Sequence, residues 1–97
     1  MKALLESEIK KLLTNNLKEW FLEKKVLKKD FNFKSFVEAF SFMTAIALEA
    51  EKLNHHPDWS NVYNRVSINL TTHEANGVTQ LDLDLASTID GIYKIYN

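Results

Sequence analysis

Three histidines fall between positions 55 and 73: His55 and His56 side by side, and His73. Neutral imidazole accepts or donates a proton at little cost near pH 7. Two or three imidazoles around a pocket, joined by a carboxylate, suit general acid–base catalysis. Asp82 is a candidate carboxylate, near the start of the last predicted helix, and Glu51 precedes the histidine pair by one helical turn. Acyl transfer is a poorer fit, because Ser60 lies near His55 in sequence but no oxyanion motif accompanies it. Trp59 and Tyr63 are candidates for an aromatic wall against a flat heterocycle.

Each residue also has a simpler role. A histidine at a helix C-terminus interacts favourably with the helix dipole. Pro57 is an ordinary helix stop. Asp82 fits the N3 position of a capping box opened by Thr79. Glu51 fits a solvated helix charge, and Trp59 and Tyr63 fit a core. Taken singly, the simpler role is preferred for all except the His-His pair. Three histidines and an aspartate are acceptable zinc ligands. Adjacent histidines on a helix end, however, point roughly 100° apart, and no H-x-x-x-H spacing is present. The metal reading is therefore the weaker one.

The elements that must position these groups are legible from periodicity. Residues 3–13 read as a short amphipathic helix through Leu4, Leu5, Ile9, Leu12 and Leu13. Trp20, Phe21 and Leu22 begin a hairpin whose turn is Glu23-Lys24-Lys25, a turn without glycine and so of open type and register. After it, Leu27, Phe31 and Phe33 share one parity and Lys28, Asp30 and Asn32 the other, which predicts a strand with one buried face.

Residues 35–54 form the strongest predicted helix, with Ser35 as N-cap and Glu38 at the N3 position of a capping box. Phe36, Phe40, Met43, Ala47 and Ala50 lie along one stripe, and Ala39, Phe42, Ile46 and Leu53 along another. A helix apolar on two sides must be covered on two sides. A homo-oligomer through helix 35–54 is the expectation, with a sheet covering the other side.

Residues 59–72 read as β, either a hairpin turning at Asn64-Arg65 or one bent strand. Strand parity places His73 with Thr71, Asn69 and Ser67 on the polar face. Glu74–Gly77 is a loop in which Asn76 or Gly77 can take positive φ. The last helix starts near Thr79 and runs to the C-terminus. The order α-β-β-α-β-β-α predicts a two-layer α+β domain, with helices on one face of an antiparallel sheet.

Composition narrows the class. The 97 residues fit one domain, residues 1–97. A formal net charge of -1 is no nucleic-acid footprint, and Lys24, Lys25, Lys28 and Lys29 fit a solvated hairpin tip. The absence of cysteine excludes disulfide and thiolate chemistry. Acidic Glu6 comes too early for a signal peptide, and no apolar run approaches the ~20 residues that span a bilayer. No membrane partner and a cytoplasmic location are expected.

Glu51-x3-His55-His56-Pro57, then Tyr63, His73 and Asp82, resembles the signature of pterin-4a-carbinolamine dehydratases. The resemblance takes in Phe31-Asn32-Phe33-Lys34-Ser35-Phe36, Ala39-Phe40-x-Phe42-Met43, Asn61-Val62-Tyr63-Asn64 and Thr72-His73-Glu74, roughly residues 20–90. It implies a four-stranded antiparallel sheet with helices on one side, usually in a homotetramer. It implies dehydration of 4a-hydroxytetrahydropterin to quinonoid dihydropterin, with no metal or organic cofactor. By resemblance, His55, His56 and His73 are the active-site histidines and Asp82 their aspartate. Glu51, Pro57, Trp59, Thr71 and Thr72 are supporting or pterin-binding positions, with the backbone of Thr71–Thr72 facing the pterin edge. Asn54 departs from the aspartate that relatives can carry. Relatives of this fold also act as non-catalytic dimerisation or assembly factors, which is the alternative function.

Overall fold

The structure, a computed structural model, describes residues 1–96. Its elements are α1 (Glu6–Asn15), β1 (Phe21–Glu23), β2 (Val26–Asn32), α2 (Phe36–Leu53), β3 (Asp58–Val62), β4 (Arg65–Leu70) and α3 (Gln80–Tyr93). Single 3-10 turns cover His73–Ala75 and Lys94–Tyr96. The order α-β-β-α-β-β-α is the one the periodicity predicts. α1 starts later than expected because the Leu4 N–H donates to the Val78 carbonyl at 2.8 Å. That bond lays the first residues along a loop instead of starting a helix. α3 also stops before the C-terminus, giving way to the last 3-10 turn; Asn97 lies outside the described residues.

The four strands form one antiparallel sheet in the order β1-β2-β4-β3. Leu22 pairs with Leu27, Leu27 with Leu70, Phe31 with Val66 and Trp59 with Ile68. Residues of this parity form the inner face. Leu27, Phe31, Val66, Ile68 and Leu70 are buried in one cluster with Ile9, Phe42, Ile46, Leu85 and Ile89 from the three helices. The helices therefore cover one face, and polar residues such as Asp30, Ser60 and Ser67 line the other.

Lys29 shares the inner parity, where a cation needs a partner. Its Nζ lies 2.8 Å from Asp90 Oδ1 and 4.8 Å from the centroid of the Phe31 ring. Trp20 Nε1 donates to the same carboxylate at 3.0 Å. Trp20 precedes β1 instead of starting it, and is held in the core by this bond.

The β1–β2 turn consists of Lys24 and Lys25, both at positive φ (50° and 65°). A two-residue hairpin matching the right-handed strand twist needs that conformation, normally with Asn-Gly. The β3–β4 turn is Tyr63-Asn64, with Val62 paired to Arg65 and Tyr63 at φ 51°. The predicted hairpin is present, displaced by one residue from Asn64-Arg65.

Ser35 caps α2 as expected, its Oγ accepting the Glu38 N–H at 3.1 Å. Glu38 does not close the box on Ser35; its Oε1 accepts from the Lys34 N–H. The inward stripe is Ala39, Phe42, Ile46 and Ala50. Ala50 thus moves to the stripe predicted for Leu53, and Leu53 is exposed. Phe36, Val37, Phe40 and Leu48 are exposed as well, so the second apolar side of α2 is uncovered within one chain.

Candidate active site

The histidine corner is built by the end of α2. Asn54 adopts the left-handed conformation (φ 51°, ψ 42°), and its N–H bonds back to Ala50 and Glu51 carbonyls. The His55 N–H then reaches the Ala50 carbonyl at 3.1 Å. This is a Schellman closure, which asparagine tolerates better than most residues. Asn54 therefore has a backbone role. His55 and His56 lie beyond the helix, so helical pitch does not set their divergence, contrary to the expectation. The left-handed exit does, before Pro57 leads into β3.

Asp82 is completely buried and gathers the corner. Its Oδ1 lies 2.5 Å from His55 Nε2. Its Oδ2 accepts the Thr79 N–H at 2.9 Å and the Thr72 hydroxyl at 2.8 Å. The capping role and the histidine role are thus filled by one carboxylate, one oxygen each way. A carboxylate only accepts, which orders the protons. The Thr72 hydroxyl donates to Asp82, so the Thr79 hydroxyl, 2.7 Å away, donates to Thr72. Thr79 Oγ1 in turn accepts the Leu81 N–H at 3.3 Å. His55 holds its proton on Nε2 toward Asp82, which leaves Nδ1 as the nitrogen free for a reacting group. The His55 side chain is 11% exposed, enough to reach solvent at one edge.

His56 turns the other way. Its Nε2 lies 2.8 Å from Glu51 Oε1, and both side chains are largely exposed. Glu51 is thus a solvated charge that also pairs with a histidine. His73 opens the 3-10 turn after β4, because β4 ends at Leu70. The parity that grouped it with Thr71, Asn69 and Ser67 does not extend to it. It is exposed and makes no side-chain hydrogen bond among the described residues. It directly follows Thr72, so one peptide separates it from the Asp82 relay.

The supporting positions divide. The Thr72 N–H and carbonyl are both bonded to Gly77, at 2.9 and 3.4 Å, and its hydroxyl is bonded to Asp82. Its backbone N–H therefore has its partner within the chain. Thr71 Oγ1 donates to the Lys25 carbonyl at 3.0 Å and ties the β1–β2 turn to this segment. Trp59, at the β3 end next to Pro57, is half-buried against the core on the helix side of the sheet. Tyr63 stands in the turn just past the other end of β3, about 13 Å along the strand direction, and is exposed. It does not share a wall with Trp59. The Thr72–Thr79 hydroxyl pair was not anticipated; only the Thr79-x-x-Asp82 spacing hinted at it. Among the described residues, no three His, Asp or Glu side chains are grouped to hold a metal ion.

The chain is similar to known proteins in sequence and in fold. The sequence profile of the family described as pterin 4 alpha carbinolamine dehydratase matches residues 2–92. The chain belongs to this family. A protein of Synechococcus sp. (strain WH7803) named "Putative pterin-4-alpha-carbinolamine dehydratase" is 51% identical over 92 residues, covering 95% of this chain and 99% of the relative. A crystal structure of a transcriptional coactivator/pterin dehydratase from Brucella melitensis superposes with a TM-score of 0.89 at 43% identity, covering 94% of this chain and 98% of that one. A pterin dehydratase-like protein identified as a RuBisCO assembly factor in the alpha-carboxysome shares the fold at TM-score 0.63 and 22% identity, covering 75% of this chain and 84% of the other. That last likeness is one of fold alone.

Proposed function

We propose that this dehydratase-family chain converts a 4a-hydroxytetrahydropterin to the quinonoid dihydropterin by general acid–base catalysis, in recycling of a tetrahydrobiopterin-type cofactor in the cytoplasm. The observation that carries the reading is the His55–Asp82 pair at 2.5 Å, with Asp82 fully buried and bonded at both oxygens. A buried carboxylate that fixes one imidazole nitrogen directs the other at a substrate and stabilises the imidazolium when it forms.

Loss of water from C4a breaks the C4a–O bond as the hydroxyl takes up a proton. A ring N–H gives up its proton, and the electron pair left behind forms the new double bond. His55, through Nδ1, and His73 carry these two proton transfers, exchanging roles for the two faces of the carbinolamine. His56, held by Glu51, binds and orients the pterin. Trp59, Pro57 and Thr71 border the site. No metal or organic cofactor enters the scheme. The active form is a homo-oligomer, a dimer or tetramer, assembled through the exposed Phe36, Val37, Phe40 and Leu48 face of α2.

A second reading is a non-catalytic assembly or coactivator protein, for which the same uncovered α2 face is the contact surface. Stopped-flow dehydration of 4a-hydroxytetrahydropterin, with sedimentation of the same sample, separates the two. Acceleration above the buffer rate supports the enzyme. A folded oligomer without acceleration supports the adaptor.

A further inference from the structure

We propose that the cleft between α1, the Lys24–Lys25 turn and the Ala75–Val78 loop binds a small amphiphilic anion: a molecule with an apolar body and one carboxylate, sulfate or phosphate end. The cleft measures about 510 Å³, within the size range of small-molecule sites. None of the three histidines lines it.

Its floor is apolar, from Leu4, Ile9, Leu22 and Val78, and its rim carries Lys24 and Lys25. The walls are held by specific contacts. The Leu4 N–H bonds to the Val78 carbonyl, and the adjoining Gly77 is bonded to Thr72 through its backbone. A Cβ at Gly77 would come within 3.0 Å of the Ala3 Cβ, so glycine allows the N-terminal segment to seat there. On the opposite side, the Thr71 hydroxyl pins the Lys25 carbonyl at 3.0 Å.

The charges favour an anion. Lys24 and Lys25, like several other surface lysines, have no acidic partner among the described residues, but they are the two that stand over this apolar lining. Glu6, the acidic group on the lining, is 3.2 Å from Lys10. Lysine is also a poor choice for the backbone here. Both residues sit at positive φ, where Asn-Gly is favoured. A solvated hairpin tip needs no particular residue beneath it; two adjacent cations above an apolar floor also match a ligand with an apolar body and an anionic end.

The test is an amide-resolved NMR titration of the full chain with octanoate, octanol and inorganic phosphate in turn. Octanoate should shift the amides of Lys25, Asn76 and Gly77 saturably, and bind about threefold to fivefold more tightly than octanol or phosphate. The double variant Lys24→Asn/Lys25→Gly removes both cations while supplying the turn's preferred residues, so it keeps the fold. It should weaken octanoate to the octanol level. Equal binding of octanol, unchanged octanoate binding in the variant, or shifts confined to Phe36–Thr44 would each overturn the proposal.

Discussion

His55 and Asp82 meet at 2.5 Å across 27 residues of sequence, joining the exit of α2 to the first turn of α3. The same carboxylate caps α3 through the Thr79 N–H. Fold and site therefore share one buried charge, and a change at Asp82 acts on both.

Replacing Asp82 with Asn keeps the volume but puts a donor where only acceptors are wanted. Either Thr72 or His55 then faces an N–H₂ group. A buried donor left without an acceptor costs roughly 1–3 kcal/mol. For a domain of this size that lowers Tm by roughly 4–8 °C per kcal/mol. Thermal denaturation of Asp82→Asn should show this loss, together with slower dehydration at temperatures where the variant remains folded.

Thr72→Val tests the relay separately. It removes the hydroxyl that donates to Asp82 and accepts from Thr79 but leaves His55 and its carboxylate in place. Stability should fall by about 1–2 kcal/mol in urea, with dehydration reduced less than in Asp82→Asn. An equal loss of activity in both variants would show that the hydroxyl acts on the chemistry and not only on the cap.

Asn54 turns the chain at the end of α2. Asn54→Gly should leave stability within about 0.5 kcal/mol, since glycine is the usual residue at this position. Asn54→Val should cost about 1–2 kcal/mol, because a β-branched residue resists positive φ. It should also lower activity by moving the histidines. Urea titration and the dehydration rate, measured on both variants, check the pair of outcomes.

The uncovered face of α2 predicts assembly. Phe40→Glu places a charge in the middle of the exposed Phe36–Phe40 patch without touching the inward stripe of Ala39, Phe42, Ile46 and Ala50. Sedimentation velocity should show smaller species for this variant, with the circular dichroism of the fold retained. A sedimentation coefficient unchanged from the parent chain would remove α2 as the contact.

Local chemistry made much of the architecture readable. Ser35 and Thr79 are N-caps by residue type, and both accept the bonds expected of them. Parity puts Ser67 and Asn69 on the polar face of β4, and the structure buries the alternating Val66, Ile68 and Leu70 on the other. What failed were inferences that extended a local period past its end. His73 was assigned by strand parity, but Thr72 closes on Gly77 and the chain leaves the strand before it. His55 and His56 were placed by helical pitch, but Asn54 ends the helix first. Lys29 on the inner face, matched to Asp90 61 residues away, is a tertiary pairing that no local pattern discloses. For the same reason the Asp82 relay emerged only once α2, β4 and α3 were brought together.

Proton transfer by His55 and His73 on a carbinolamine is the step on which the proposed function depends. The direct measurement is the stopped-flow rate of 4a-hydroxytetrahydropterin dehydration by the parent chain, His55→Ala and His73→Ala, each checked for native circular dichroism. Acceleration by the parent chain and a loss of about 10²-fold or more in each folded variant are expected. Near-parent rates in both folded variants, or no acceleration by the parent chain, would contradict that step.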